Sequence, residues 1–206
     1  MSIEILQPRQ KDEAVDVLRE SFRDYPLMRF VFQDAGAAYD EHLWWMIDYL
    51  CESRFKRGWP VFGLREDGRL MAVAVVSSPG RPPVVPELDR LYKELKRKVG
   101  EPALVRMQLY DELTDRQVPQ SPHHYLGMIG VVADRQRRGY GKRLVEAVQR
   151  HAEAHPSSEG VSLNTESEAN LPFYKRMGFR LIAEADFANL HTWCFFWSCT
   201  TEARRS

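Results

Sequence analysis

The sequence predicts a single α/β domain. Seven β-prone runs are separated by segments whose apolar residues recur at helical spacing, and the order closes on a pair of strands. One run, residues 125 to 132, is almost unbroken in apolar character, the pattern of a strand covered on both faces, and a glycine-bearing turn and a helix follow it directly. The 206 residues, 44% of them hydrophobic, suffice for one sizeable core.

Residues 2 to 6 read as a short strand. A helix follows in which Ala14, Val15, Leu18 and Phe22 share a face behind the acidic start Asp12-Glu13. Over 39 to 55, Leu43, Met46, Ile47 and Leu50 mark a second amphipathic helix, ended by Gly58 and Pro60, on which Trp44 and Trp45 are either core anchors or pocket walls. Runs at 61 to 64 and 70 to 76 flank Glu66-Asp67-Gly68 and predict a hairpin. A proline-rich break at 79 to 86 leads to a helix carrying Leu88, Leu91, Tyr92, Leu95 and Val99, stopped by Gly100, with weaker helical character continuing to about Leu113. Lys93, Lys96, Arg97 and Lys98 form its solvated face. A helix over 140 to 155, a strand over 161 to 165, a short helix over 170 to 177 and strands over 179 to 187 and 191 to 199 complete the domain, with about 200 to 206 as a tail.

Twenty-nine basic side chains balance twenty-nine acidic ones, so net charge draws the chain toward neither nucleic acid nor an anionic membrane, and neither partner is expected. The start lacks a charged and then apolar leader, and no run of about 20 apolar residues follows, which points to a soluble protein. Cys51, Cys194 and Cys199 have no metal-ligand spacing and leave one over in any pairing. Reduced thiols, no metal and a cytoplasmic location are the expectation.

The sharpest chemical feature is Gln136-Arg137-Arg138-Gly139-Tyr140-Gly141, with Lys142 behind it. Two glycines let the backbone approach a ligand, and the helix starting there offers unpaired amides to an anion such as a pyrophosphate. Arg137, Arg138 and Lys142 oppose the dipole of that helix unless an anion compensates them. Neither the dinucleotide fingerprint nor the Gly-Lys-Ser/Thr phosphate loop is matched.

With its Gln-x-x-Gly-x-Gly spacing this segment resembles the signature of the GNAT N-acetyltransferases. The stretch Asn170-Leu171-Pro172-Phe173-Tyr174, with Met177-Gly178-Phe179 after it, is similar to the family's second cofactor-side motif. Asp24-Tyr25-Pro26, Leu163 with Thr165, and Thr192-Trp193-Cys194 resemble the puromycin N-acetyltransferase branch, while residues 79 to 120 match only as helices inserted between the third and fourth strands. The resemblance implies a single-domain GNAT fold: a mixed central sheet of about seven strands flanked by helices, binding acetyl-CoA as acyl donor and passing the acetyl group directly to a primary amine.

Its residue roles carry over position by position. Ile129, Gly130 and Val131 on the fourth strand would pair with the pantetheine arm. Gln136, Arg137, Arg138, Gly139, Tyr140, Gly141 and Lys142 would hold the pyrophosphate, with Asn170 and Phe173 also on the cofactor side. Tyr174 falls at the position of the acid that protonates the leaving thiolate. Where many relatives carry a glutamate base, at the head of the fourth strand, this chain has Tyr125 beside His123 and His124. His124 is the candidate proton relay, although both histidines suit the end of a loop equally well. Asn164 stands where puromycin-acetylating relatives tend to have glutamate, and an amide takes no proton. Tyr25, with Asp24, either borders the acceptor pocket or packs between helices. The acceptor implied is a small-molecule amine; a peptide or protein amine, or a non-catalytic acyl-CoA-binding regulatory module, are the alternatives. The aromatic last strand, with Trp193, Phe195, Phe196 and Trp197, leaves a homodimer open.

Overall fold

A computed structural model describes residues 2–199; the tail expected from about residue 200 lies outside the described residues. The elements follow the order β1 (Ser2–Ile5), α1 (Lys11–Phe22), α2 (Pro26–Val31), α3 (Tyr39–Lys56), β2 (Val61–Glu66), β3 (Arg69–Ser77), α4 (Pro86–Val99), α5 (Glu101–Asp115), β4 (His124–Val131), α6 (Tyr140–Ala154), β5 (Gly160–Thr165), α7 (Leu171–Arg176), β6 (Arg180–Phe187) and β7 (Leu190–Ser198). All seven expected strands are present and form one sheet in the order β1-β2-β3-β4-β5-β7-β6. Only β4 and β5 run parallel, so the sheet is mixed.

Helices cover both faces. Neighbouring residues of β4 show the two sides: a side chain on Gly130 would run into Ser21 and Leu18 of α1, whereas Val131 reaches toward Gly141 of α6. On one side α6 packs across β2 to β5; on the other α1 and α3 lie on the first half of the sheet, with α4 against α3 and α5 against α4. The apolar face of α1 buries Ala14, Val15, Leu18 and Phe22 completely or nearly so, as its spacing requires. Gly100, at φ 82°, breaks what the sequence presents as one tapering helical pattern into α4 and α5. Six-residue α2 leaves no periodic signal in the sequence, because a turn and a half opened by Pro26 is too short to show one.

The exposed faces follow charge. Lys96 pairs with Glu101 at 2.7 Å, Arg97 with Glu94 at 3.7 Å, and Lys98 sits 4.6 Å from the ring centre of Trp45. Trp44 and Trp45 stack edge to face with centroids 4.8 Å apart and rest half-buried against the core, outside the cleft described below. Among the described residues no helix is long and apolar enough to cross a membrane.

The sheet is interrupted at one place. β4 and β5 pair only at His124↔Val161 and Tyr125↔Ser162. On its other side β4 pairs Val75↔Met128 but Val76↔Leu126, so Gly127 is an extra residue in the ladder, a β-bulge that bends the strand. Beyond it β4 parts from β5, while β5 stays paired to β7 along its whole length, from Gly160↔Ser198 to Thr165↔Trp193. The interruption opens a cleft in the middle of the protein.

Candidate active site

The cleft has a volume of about 680 Å³ and runs along the unpaired edge of β4. Ile129, Gly130 and Val131 line it, as do Gln136 and Gly141 from the turn after β4. From the far wall come Asn170, Phe173 and Tyr174, carried on α7 and the turn before it. The two motifs read from the sequence are therefore brought to one cavity. Ser21 ties α1 to this edge: its hydroxyl donates to the carbonyls of Val17 at 2.8 Å and Val131 at 3.2 Å.

The glycine turn has the backbone of an anion cradle. Arg137 and Gly139 are both left-handed, at φ 59° and 86°, and Gly139 caps the start of α6. A non-glycine residue in that region is uncommon, and left-handed residues in a turn direct successive amides to one side. No acidic residue occupies the first turn of α6 to compete for those amides. At Gly141 the position of a missing Cβ is bounded by Phe173 at 3.6 Å, so the backbone and that ring form a narrow passage. A phosphate-bearing thioester with a long extended arm fits these features: turn amides at one end, unpaired strand edge within.

Two of the expected side chains act differently from the expectation. Tyr140 is buried and points away from the cleft; its hydroxyl donates to Glu66 Oε1 at 2.6 Å, and Arg135 Nε donates to Glu66 Oε2 at 2.8 Å. These bonds hold the Glu66 carboxyl below its usual range and tie the turn to β2, so Tyr140 offers a ligand only its backbone. His124 does not reach the cleft at all. Strand alternation turns it to the α6 face, fully buried, with Nδ1 2.9 Å from Ser158 Oγ and its ring 5.2 Å from those of His151 and His155. Burial, and then the neighbouring histidines, pull its pKa down to about 4. Tyr125, one residue along, is the side chain of that pair that lines the cleft. Arg137, Arg138 and Lys142 stand exposed and do not line the cleft, Lys142 3.8 Å from Glu146.

Tyr174 is buried, with its ring centre 5.2 Å from Phe173 and 5.9 Å from both Phe179 and Phe195. Burial and the nearby Glu166 raise its pKa, so the phenol keeps its proton. Tyr25 lines the same cavity: its hydroxyl lies 3.1 Å from Thr165 Oγ1 and accepts the Glu166 amide at 3.1 Å, while Asn170 Nδ2 donates to Thr165 Oγ1 at 3.1 Å. This polar knot fixes the segment that leads into α7.

Beyond Tyr174 the cleft holds charges that sequence reasoning missed. Glu166, at the end of β5, is buried and accepts from the Tyr110 hydroxyl and from Thr192 Oγ1 at 2.8 Å; its pKa is raised by burial. From α5, Met107, Tyr110, Asp111, Thr114 and Asp115 all face the cavity, at the i, i+3, i+4, i+7, i+8 spacing of one helical stripe. Solvent reaches Asp111, yet protein crowds it on most sides; that crowding, then the Asp115 charge one turn away, pushes its pKa up to about 7. Arg54 of α3 completes this wall. The signal in the sequence is two acids, Asp111 and Asp115, on the same stripe as Met107, Tyr110 and Thr114.

A mixed sheet opened in this way beside a glycine turn is the architecture of an acyl-transferring enzyme. The model of the Acetyltransferase (GNAT) family matches residues 15–179, most of the chain, and the protein belongs to that family, which uses acetyl-CoA as donor. Solved structures with the same fold include a histone acetyltransferase HPA2 and related acetyltransferase from Corynebacterium glutamicum, 17% identical with a TM-score of 0.69 over 95% of this chain and 94% of that one. Arylalkylamine N-acetyltransferase 2 from Aedes aegypti is 12% identical, with a TM-score of 0.65 over 97% of this chain and 99% of its own. The polyamine N-acetyltransferase of Drosophila melanogaster is 17% identical, with a TM-score of 0.61 over 96% and 99%. At these identities the likeness is one of fold.

Proposed function

We propose that the protein transfers the acetyl group of acetyl-CoA to the primary amine of a small molecule. The observation that carries this reading is the single cleft that joins the open β4 edge and the glycine turn at one end to Tyr174 and an acidic wall at the other. A concave wall drawn from α1, α3 and α5 suits a small acceptor better than a flat protein surface. The fold-mates named for arylalkylamines and polyamines are consistent with it. Asp24-Tyr25-Pro26 and Thr192-Trp193-Cys194 support kinship with the puromycin-acetylating branch, while Asn164 argues for a different acceptor.

Acetyl-CoA would supply a thioester whose C–S bond breaks as a C–N bond forms, the proton lost by nitrogen ending on sulfur. In this reading the amides after Gln136, with Arg137, Arg138 and Lys142, hold the phosphates. The backbone of Ile129 to Val131 aligns the extended arm beside the amine, which replaces a chance encounter with an oriented one. Phe173 closes the passage to water. Tyr174 carries a proton at its hydroxyl through neutral pH and delivers it to the departing sulfur. Asp111, ionised only above about pH 7, takes the proton of the incoming ammonium; His124, neutral and on the opposite face of the sheet, has no part.

The test is thiol release from acetyl-CoA across a panel of primary amines, peptides and amine-free controls. Turnover confined to small amines is expected; acetyl-CoA binding with no acceptor of any kind reacting would sink the reading. For the best acceptor, kcat/KM should rise as pH passes about 7, because the raised Asp111 pKa leaves it protonated and unable to accept below that value. In Asp111→Asn this limb should move toward the pKa of the free amine. An unchanged profile would remove Asp111 from the role of base.

A further inference from the structure

We propose that the acceptor is zwitterionic: besides the amine to be acetylated it carries a carboxylate, which Arg54 receives, while Asp111 and Asp115 receive the ammonium. This rests on the acetyltransferase reading above and specifies its substrate class.

The argument starts from charges left unmatched. Arg54 makes no ion pair among the described residues. Its Nη1 donates to Ser53 Oγ at 3.1 Å, but its Nε is sealed from solvent without a hydrogen-bond partner. Three other partly buried arginines sit on carboxylates: Arg65 on Glu4 and Glu13, Arg106 on Asp34, Arg135 on Glu66. Arg57 Nε and Arg180 Nη2 are also sealed without a hydrogen-bond partner, but both residues lie outside the cleft; the Arg57 guanidinium is 5.2 Å from the centre of the Trp59 ring, which that of Arg54 approaches to 5.9 Å. Arg54 differs in lining the cavity. Its Nη2 lies 3.4 Å from where a Cβ on Gly127 would stand, so the bulge glycine leaves the room it occupies beside β4.

Asp111 and Asp115 are equally unmatched. They lie one turn apart on the cleft-facing stripe of α5, a like-charge spacing that disfavours the helix, and neither makes an ion pair among the described residues. Arg54 and Asp111 feel each other's field without closing to an ion pair, so opposite charges face the same solvent-filled space unjoined. Burial pulls the Arg54 pKa down, and crowding by protein pushes those of the two solvent-reached aspartates up, against the opposing fields of Arg54 on Asp111 and His123 on Asp115.

Candidate ligands can be sorted by what they would leave unpaired. A simple amine answers the aspartates and leaves Arg54 alone. A diamine adds a cation next to Arg54, and an anion repels Asp111. Only a molecule with both charges satisfies both walls, through charge-assisted hydrogen bonds, including a planar carboxylate on a guanidinium.

The experiment uses the full chain with acetyl-CoA and matched acceptors: the common α-amino acids, β-alanine and γ-aminobutyrate, each beside its carboxamide, with ethylenediamine, putrescine and cadaverine as diamines. The expected result is at least one amino acid whose kcat/KM exceeds that of its carboxamide and of every diamine by about tenfold or more, with the difference mainly in KM. In Arg54→Gln the ratio of acid to carboxamide should fall to about one. A carboxamide or diamine used as well as the best amino acid would overturn the inference while leaving the acetyltransferase reading intact. Silence with every amine would overturn both. The panel on the unmodified protein decides the matter even if Arg54→Gln does not fold.

Discussion

Tyr174→Phe is expected to lower kcat about a hundredfold while leaving the affinity for acetyl-CoA close to that of the unmodified protein. Phenylalanine keeps the ring among Phe173, Phe179 and Phe195, so packing is conserved and only the proton donor is removed. Its raised pKa keeps the hydroxyl protonated at neutral pH, the state in which a donor must start. Rapid-mixing measurements of thiol release, with CoA affinity from calorimetry, separate the two effects. Loss of affinity with kcat retained would make Tyr174 a wall of the passage rather than a donor.

The largest effect on stability is expected at Gly160. A Cβ there would stand 2.1 Å from the Trp197 carbonyl oxygen and 2.6 Å from the Phe196 ring, and the first of these is backbone held in the β5–β7 ladder, with Gly160 opposite Ser198. Neither strand can yield without breaking register. Gly160→Ala should therefore cost about 3 kcal/mol, the upper part of the usual range for overpacking. For a chain of this size that is a fall in Tm of roughly 6–12 °C. A scanning-calorimetry shift under 2 °C would mean that β5 and β7 slide past one another more freely than a paired ladder allows.

Much of this protein can be read before folding, and the parts that cannot share a physical reason. Every strand and the long helices announce themselves through period, because each buries one face or two against a neighbour. The cofactor side is legible too: the glycine turn and the Asn170 to Phe179 segment are local in sequence, and local backbone chemistry suffices to suggest an anion site. The bulge is different. Gly127 sits in an apolar run that would equally suit a straight strand, and only the skipped partner opposite Val75 and Val76 reveals it. His124 and Tyr125 are neighbours that one residue of alternation sends to opposite faces, and sequence alone does not say which faces the cleft. The acceptor wall is the least legible. Arg54, Asp111 and Glu166 come from three elements more than fifty residues apart, and their chemistry exists only once α3, α5 and the end of β5 are packed together.

The gap between β4 and β5 has a meaning for the life of the protein as well as for its chemistry. An open strand edge normally invites another chain to add to it, yet this one lies between two strands of its own sheet rather than at the sheet's margin. On the proposed reading the polypeptide leaves its central seam unstitched and the donor supplies the missing thread. A ligand held at a hundred times its Kd adds about 2.7 kcal/mol to the folded state. Resistance to heat and proteolysis should then follow the supply of acyl donor, so that the enzyme persists where there is something to transfer and is cleared sooner where there is not.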